Sequence, residues 1–355
     1  MKFVRTFSRV KAVKQFFAWG LLLSATQYLP AFGQESGAIQ GTNFYSGKIV
    51  NIIVSTGSGT GYDMISRTLA KHLPKHIPGA PSVTVQNMPG ASGINAANYV
   101  YNNAPKDGTV VGNFQGIIPF EPLLGTKEAR YDALMFNWLG SLTQETGVLI
   151  ARPGIPAINF ADLNTQELTI GTSSPTSQDA IFARLFNQIF KLKLKTIMGY
   201  PAQNDVFLAM DRGEIDGRFV YYSSLASTRP DWITKKQVKL LVQYGSAKEP
   251  SIGDIPSMND IVTNSDDKLL MLAAFAPLTL GRSYLMPPGV PLARVTVMRH
   301  ALASILKDAA FLRDMESQMF KLDFPLTGDE VETFIKSVYA MSPSILNKFR
   351  NLVHP

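Results

Sequence analysis

The chain has 355 residues, 45% of them hydrophobic and 17% charged, a balance that fits a globular protein with a sizeable core and excludes a disordered one. The formal net charge is +7, but Lys2, Arg5, Arg9, Lys11 and Lys14 supply much of it; residues 34–355 carry only +2, which excludes a nucleic-acid footprint. There is no cysteine, so no disulfide, thiolate nucleophile or cysteine-based metal site can form.

The N-terminus reads as an export signal. Five cations without an acid precede the apolar run Phe16-Phe17-Ala18-Trp19-Gly20-Leu21-Leu22-Leu23, and the small residues Ala31 and Gly33 sit where a signal peptidase cuts. The run is too short to span a bilayer, and Gln27 and Pro30 interrupt it. Cleavage before Gln34 is expected, leaving a periplasmic protein with a flexible leader over 34–43. The length predicts two domains.

From there strand and helix patterns alternate. A short β-branched run over 49–54 predicts a strand buried on both faces. The Gly-rich loop Ser55-Thr56-Gly57-Ser58-Gly59-Thr60-Gly61 follows, and a helix begins near Tyr62 with Met64, Ile65, Leu69 and Leu73 at helical spacing. Further strands are expected over 83–85, 109–111, 148–151, 168–171, 196–198, 219–221, 238–243 and 271–277. Helices are expected over 95–101, 178–190, 205–212, 291–306, 309–319 and 329–349. Strands alternating with helices predict α/β sheets with right-handed crossovers.

The loops carry the candidate chemistry. A Gly-rich loop at the carboxyl end of a buried strand lets backbone N–H groups converge, and the next helix adds positive charge at its N-terminus; together they bind anions. Ser55, Gly57, Ser58, Gly59 and Thr60 are therefore candidate ligand contacts, with Asp63 either complementing the helix dipole or holding the loop. A tight turn without a ligand is the competing reading. A dinucleotide fingerprint is a second, weaker competitor, because Tyr62 stands where its third glycine belongs and Gln86-Asn87 offers no carboxylate for a ribose.

A second polar loop, Gly171-Thr172-Ser173-Ser174-Pro175-Thr176-Ser177, precedes another helix. Ser173, Ser174, Thr176 and Ser177 can cap that helix or donate to an anion. One such loop in each half predicts a cleft between two α/β lobes. Gln115, beyond the third strand, Tyr200 at a strand–loop junction, Asp216, and Arg218 as a partner for a second ligand carboxylate complete the candidate set. Catalytic signatures are thin: His72 and His76 flank Pro74 at a helix end and read as solvated, and G-x-S-x-G, H-E-x-x-H and P-loop motifs do not occur. No cofactor, metal or catalytic set is expected.

At these loops the sequence resembles the substrate-binding receptors of tripartite tricarboxylate transporters, the Bug family. The resemblance runs from Gly47-Lys48-Ile49-Val50 to the last helix. It rests on the Gly-rich first loop ending at Asp63, on Asn87-Met88-Pro89-Gly90-Ala91-Ser92-Gly93, on Ala104-Pro105-Lys106-Asp107-Gly108, on the second polar loop, on Tyr200-Pro201, on Gly213-Glu214-Ile215-Asp216, and on the proline-glycine stretch ending at Pro291. It implies a type II periplasmic binding protein fold, with lobe one over 44–145 plus 248–355 and lobe two over 146–247. It also implies a small carboxylate ligand held near the first loop, a membrane permease as partner, and a monomer. A sensor-feeding receptor and an exported α/β enzyme are the alternatives. Two departures stand out: Ser55-Thr56 replaces the family's proline before the glycine pair, and Arg218 follows Asp216-Gly217 where an apolar residue is usual.

Overall fold

A computed structural model describes residues 43–354, apart from 158, 201 and 247. The export signal and most of the leader lie outside the described residues. In chain order the first elements are β1 (Ile49–Val54), α1 (Gly61–His72), β2 (Ser82–Asn87), α2 (Ile94–Asn102), β3 (Val110–Asn113), α3 (Glu121–Leu124) and β4 (Asn137–Ser141). There follow β5 (Gly147–Ala151), β6 (Leu168–Thr172), α4 (Gln178–Phe190), β7 (Leu194–Met198), α5 (Gln203–Asp211), β8 (Gly217–Tyr221), α6 (Tyr222–Thr228), α7 (Pro230–Thr234) and β9 (Lys239–Tyr244). The chain ends with α8 (Met258–Ile261), α9 (Ser265–Thr279), β10 (Ser283–Met286), α10 (Leu292–Ile305), α11 (Ala309–Ser317), β11 (Leu326–Thr327), α12 (Gly328–Tyr339) and α13 (Pro343–Val353).

These strands form two sheets. The first has the order β11-β4-β10-β3-β1-β2 and the second β7-β6-β8-β5-β9. In the first, β1 runs parallel to β2 and β3, while β10 is antiparallel to β3 and β4. In the second, β6 runs parallel to β7 and β8, while β5 is antiparallel to β8 and β9. The chain crosses between the sheets at 142–146 and returns at 245–282. Register fixes what meets there. Ser283 pairs with Ser141 and Tyr284 with Asn113, so the start of β10 lies beside the ends of β4 and β3. Gly147 pairs with both Tyr221 and Tyr244, so the start of β5 lies beside the ends of β8 and β9. Both sheets therefore present the carboxyl ends of their parallel strands to the crossing segments.

The expected strand over 271–277 is instead the middle of α9. Its apolar run is buried on every side, with Leu270, Met271, Ala273, Ala274, Phe275, Ala276 and Leu278 all enclosed, and a helix without a polar face shows no helical period in its sequence. Asn264 caps it by accepting from the N–H groups of Asp266 and Asp267. The helix expected over 329–349 is two. Pro343 starts α13 after Ser342, whose Oγ accepts from the Ile345 N–H, so the first helix must end before it. The strands β4, β10 and β11 were not anticipated.

One dry core joins the two sheets. Phe114, Phe120 and Trp138 from the first belong to the same apolar cluster as Phe182, Phe186, Phe219 and Tyr244 from the second, with Phe275 of α9 among them. Phe275 lies 5.3 Å from Phe182 and from Tyr244, ring centre to ring centre. The returning helix is thus packed onto the second sheet before the chain re-enters the first.

Candidate functional site

The first loop is held by its own side chains. Ser55 is buried and its Oγ accepts from the Gln115 N–H at 3.2 Å, tying the loop to the segment after β3. The Thr60 hydroxyl donates to the Gly57 carbonyl at 2.9 Å, contacts Thr56 Oγ1 at 2.6 Å, and caps α1 by accepting from the Asp63 N–H. Asp63, 2% exposed, is the hub. Its carboxylate accepts from Gly59 N at 2.8 Å, Asn87 Nδ2 at 2.9 Å, Arg67 Nε at 3.0 Å and, at 3.4 Å, Ser58 Oγ. Burial would raise this carboxyl, but the bonds from Arg67, Gly59 and Asn87 outweigh it and hold it at about 2. The Gly59 N–H, expected to face an anion, is therefore turned onto Asp63. Asn87 also donates to the Thr56 carbonyl, so the first two loops form one assembly.

The second polar loop is looser. Ser177 precedes α4, yet its hydroxyl donates to the Ser174 carbonyl rather than capping the helix. Ser174 and Thr176 touch through their hydroxyls at 3.4 Å, and Ser173 is exposed. The Tyr200 N–H donates to the Thr172 carbonyl at 3.3 Å, which seats Tyr200 beside this loop.

A charged cluster between the sheets was missed by the sequence reading. Arg282 precedes β10, and its guanidinium lies over the Tyr62 ring at 4.3 Å. Its NH1 donates to the Gly281 carbonyl, and its NH2 stands 3.8 Å from Glu145 Oε1. The other Glu145 oxygen accepts from the Ser223 hydroxyl at 2.7 Å. Arg282 belongs to the first sheet, Glu145 to the first crossing segment and Ser223 to the helix after β8, so three separate parts of the chain meet. Gln178 accepts from the Tyr221 hydroxyl at 2.7 Å on the same side of the second sheet. Beside the cluster is a cavity of about 440 Å³, walled by Glu145, Thr146, Tyr222 and Ser223 on one side and by Met315 and Phe320 on the other.

Three buried side-chain atoms among the described residues lack a hydrogen-bond partner: Asn113 Oδ1, Thr172 Oγ1 and Arg282 Nε. Asn113 ends β3, Thr172 ends β6 and Arg282 precedes β10. All three lie at the strand ends that border the crossing segments, one in the second sheet and two at the first. Buried polar groups are normally satisfied, so each of these three atoms has hydrogen-bonding capacity left for a polar partner.

No family model matches the sequence, and no curated protein does. Solved structures do match. A TctC solute-binding protein from Polaromonas, solved without a ligand, superposes with a TM-score of 0.70 at 17% identity, covering 87% of this chain and 99% of that one. The periplasmic binding protein BugD gives 0.57 at 17% identity, covering 87% and 98%. MatC from Rhodopseudomonas palustris, solved with bound malate, gives 0.55 at 17% identity, covering 86% and 99%. The chain has the fold of the TctC and Bug periplasmic binding proteins.

Within this TctC-type fold the expected site residues fall into two groups. Ser55, Gly57, Ser58, Gly59, Thr60, Asp63 and Gln115 gather at the carboxyl end of the first sheet, and Ser173, Ser174, Thr176, Ser177 and Tyr200 at that of the second. Asp216 and Arg218 do not join them. Asp216 precedes β8, at the far end of its sheet, where Arg152 donates to it at 2.8 Å and the Thr169 hydroxyl at 2.7 Å. Arg218 is 6% exposed, lies over the Phe207 ring at 4.7 Å, and donates to the Phe219 carbonyl. Its NH2 is 3.5 Å from Asp179, whose carboxyl burial pushes up to about 6 against the pull of Arg218. Both are held in ion pairs of the TctC-type scaffold, and Arg218, a charge buried in a sheet, must be. His72 and His76 are corrected too: they meet Asp314 at 2.8 Å and Asp308 at 2.9 Å rather than open solvent.

One signal for Arg282 was present in the sequence. It is the only charged residue between Leu269 and Pro288. A lone charge inside a long apolar run has to be paired or functional, because an isolated buried charge is too costly to keep.

Proposed function

We propose that the protein is a solute-binding receptor that captures a small carboxylate between two lobes, 44–145 plus 248–355 and 146–247, and delivers it to the permease of a tripartite tricarboxylate-type transporter. The reading places the mature protein in the periplasm, without a reaction to catalyse. The observation that carries it is that three unpartnered buried polar atoms, Asn113 Oδ1, Thr172 Oγ1 and Arg282 Nε, all stand at strand ends that border the crossing segments. Ligands of open α/β sheets bind at such strand ends. Malate in MatC, a protein of the same fold, supports a small acid as the ligand class.

Native mass spectrometry of protein recovered from the periplasm tests both halves of the proposal. The expected species is the chain from Gln34 onward carrying one small organic acid. An intact chain in the membrane fraction would refute export. A correctly processed chain that neither carries an acid nor takes one up from a panel of carboxylates and amino acids would refute the receptor.

A further inference from the structure

Arg282 and Glu145 form an ill-matched pair. They are 3.8 Å apart at their nearest atoms, too far for a hydrogen bond, although neither side chain exposes more than 14% of its surface. Two opposite charges kept this dry are expected in close, hydrogen-bonded contact, since the pairing must offset their desolvation. Here each keeps unused capacity. Arg282 has the unpartnered Nε–H, and its best acceptor is a backbone carbonyl. Glu145 is satisfied by one hydroxyl on Oε2, while Oε1 has only the distant guanidinium.

The two charges also face different surroundings. Glu145 opens onto the cavity of about 440 Å³, whose walls carry four carboxylates, Glu145, Glu249, Glu316 and Asp323, against the single ammonium of Lys321. That end of the site is electronegative, and Met315, Phe320 and Leu322 give it an apolar wall beside the polar one of Thr143, Thr146 and Ser223. Arg282 is not itself a wall of this space but stands close to one: a side-chain atom built on Gly61 would lie 3.5 Å from its NH2 and 3.6 Å from the ring of Phe320, which is a wall.

A plain carboxylate placed on Arg282 would bring a second negative charge beside Glu145, and like charges this close oppose binding. A ligand with a cation toward Glu145 turns the same neighbour into a partner. Resting on the receptor reading above, we infer that the ligand is a small zwitterion, an amino acid with an apolar side chain. Its carboxylate docks on Arg282, its ammonium docks on Glu145 and Ser223, and its hydrocarbon fills the cavity beside Met315 and Phe320. Glu145 is then the residue that excludes amino-free acids.

Thermal melting and calorimetry with defined probes test this: the common L-amino acids, the desamino analogue of each amino acid that binds, and a panel of short mono- and dicarboxylates without an amino group. An apolar amino acid should bind, and its desamino analogue should bind about 10- to 100-fold more weakly, the worth of a hydrogen bond to a charged group. Glu145→Gln keeps the shape and the Ser223 contact, so it should narrow that gap by strengthening the desamino acid. Melting of the ligand-free variant verifies that it folds; if it does not, the comparison of the two probes on the wild type still decides. An amino-free acid that binds the wild type as tightly as any amino acid, with no change in preference in Glu145→Gln, overturns the zwitterion and leaves the receptor standing. If no acid of either kind binds, the receptor reading itself falls.

Discussion

Gly59 and Asp63 decide how the first loop works. Gly59 has φ of +78°, a backbone conformation that residues other than glycine resist, and an added Cβ would meet nothing within 4 Å. Its N–H ends on Asp63 rather than pointing into open space. A valine here should therefore act through backbone strain, lowering stability by about 1–2 kcal/mol while leaving ligand affinity within a few-fold of wild type. Thermal melting and calorimetry on Gly59→Val separate the two. Lost affinity with an unchanged melting temperature would put the Gly59 N–H back on the ligand. The sequence placed Gly59 in the loop and Asp63 in the first turn of the helix that follows. It could not say which of two acceptors the amide meets, because a side chain four residues on and a ligand in the cleft are equally consistent with three spaced glycines.

At the scale of elements, α11 is fastened to the end of α1 by two sets of charges. Lys71 and His72 meet Asp314, and Lys75 and His76 meet Asp308, which also caps α11 by accepting from the Ala310 N–H. The bonds from Lys71 and His72 hold the Asp314 carboxyl at about 2, and those from Lys75 and His76 hold Asp308 well below the usual range. A carboxyl depressed in the folded state stabilises above its unfolded value of about 3.9, and that contribution is lost as pH falls through the folded value. The double variant Asp308→Asn with Asp314→Asn keeps the cap acceptor and removes both charges. It should melt a few degrees below wild type at pH 5, with the difference shrinking as pH falls to 2 and below, through the depressed folded values of the two carboxyls. A difference that persists unchanged at pH 2 would mean that shape rather than charge holds α11. Because α11 leads into the cavity wall at Met315 and Phe320, this clasp also positions one side of the proposed ligand space.

The whole molecule is two sheets joined by two crossings and one shared core. Loops from both sheets reach a ligand together only if the cleft narrows, and the crossings at 142–146 and 245–282 are where such a rotation would be absorbed. Phe275 and its neighbours bind α9 to the second sheet, so α9 should move with that sheet rather than with the first. Small-angle scattering at saturating concentration of an acid found by melting should show a smaller radius of gyration than the ligand-free protein. An unchanged curve at saturation would count against a closing clamp.

The sequence by itself determined the alternation of strands and helices, the positions of both polar loops at strand ends, and the exclusion of cysteine chemistry. These follow from local periodicity, from glycine and proline, and from composition. It also placed α4 over Gln178–Phe190, because that helix has one apolar face and one polar face, and so a readable period. It failed at α9, whose apolar residues face packing on every side and leave no period to read. Only the tertiary structure decided which charges share a site. Asp216 precedes and Arg218 lies within a strand that leads to the crossing segments, yet the direction of that strand leaves Asp216 at its far end and packing seals Arg218 inside. Arg282, Glu145 and Ser223 are separated by 59 residues or more. They meet because antiparallel registers bring the start of β10 and the start of β5 to the crossing segments, and such pairings are set by hydrogen bonds between distant strands that no local pattern encodes.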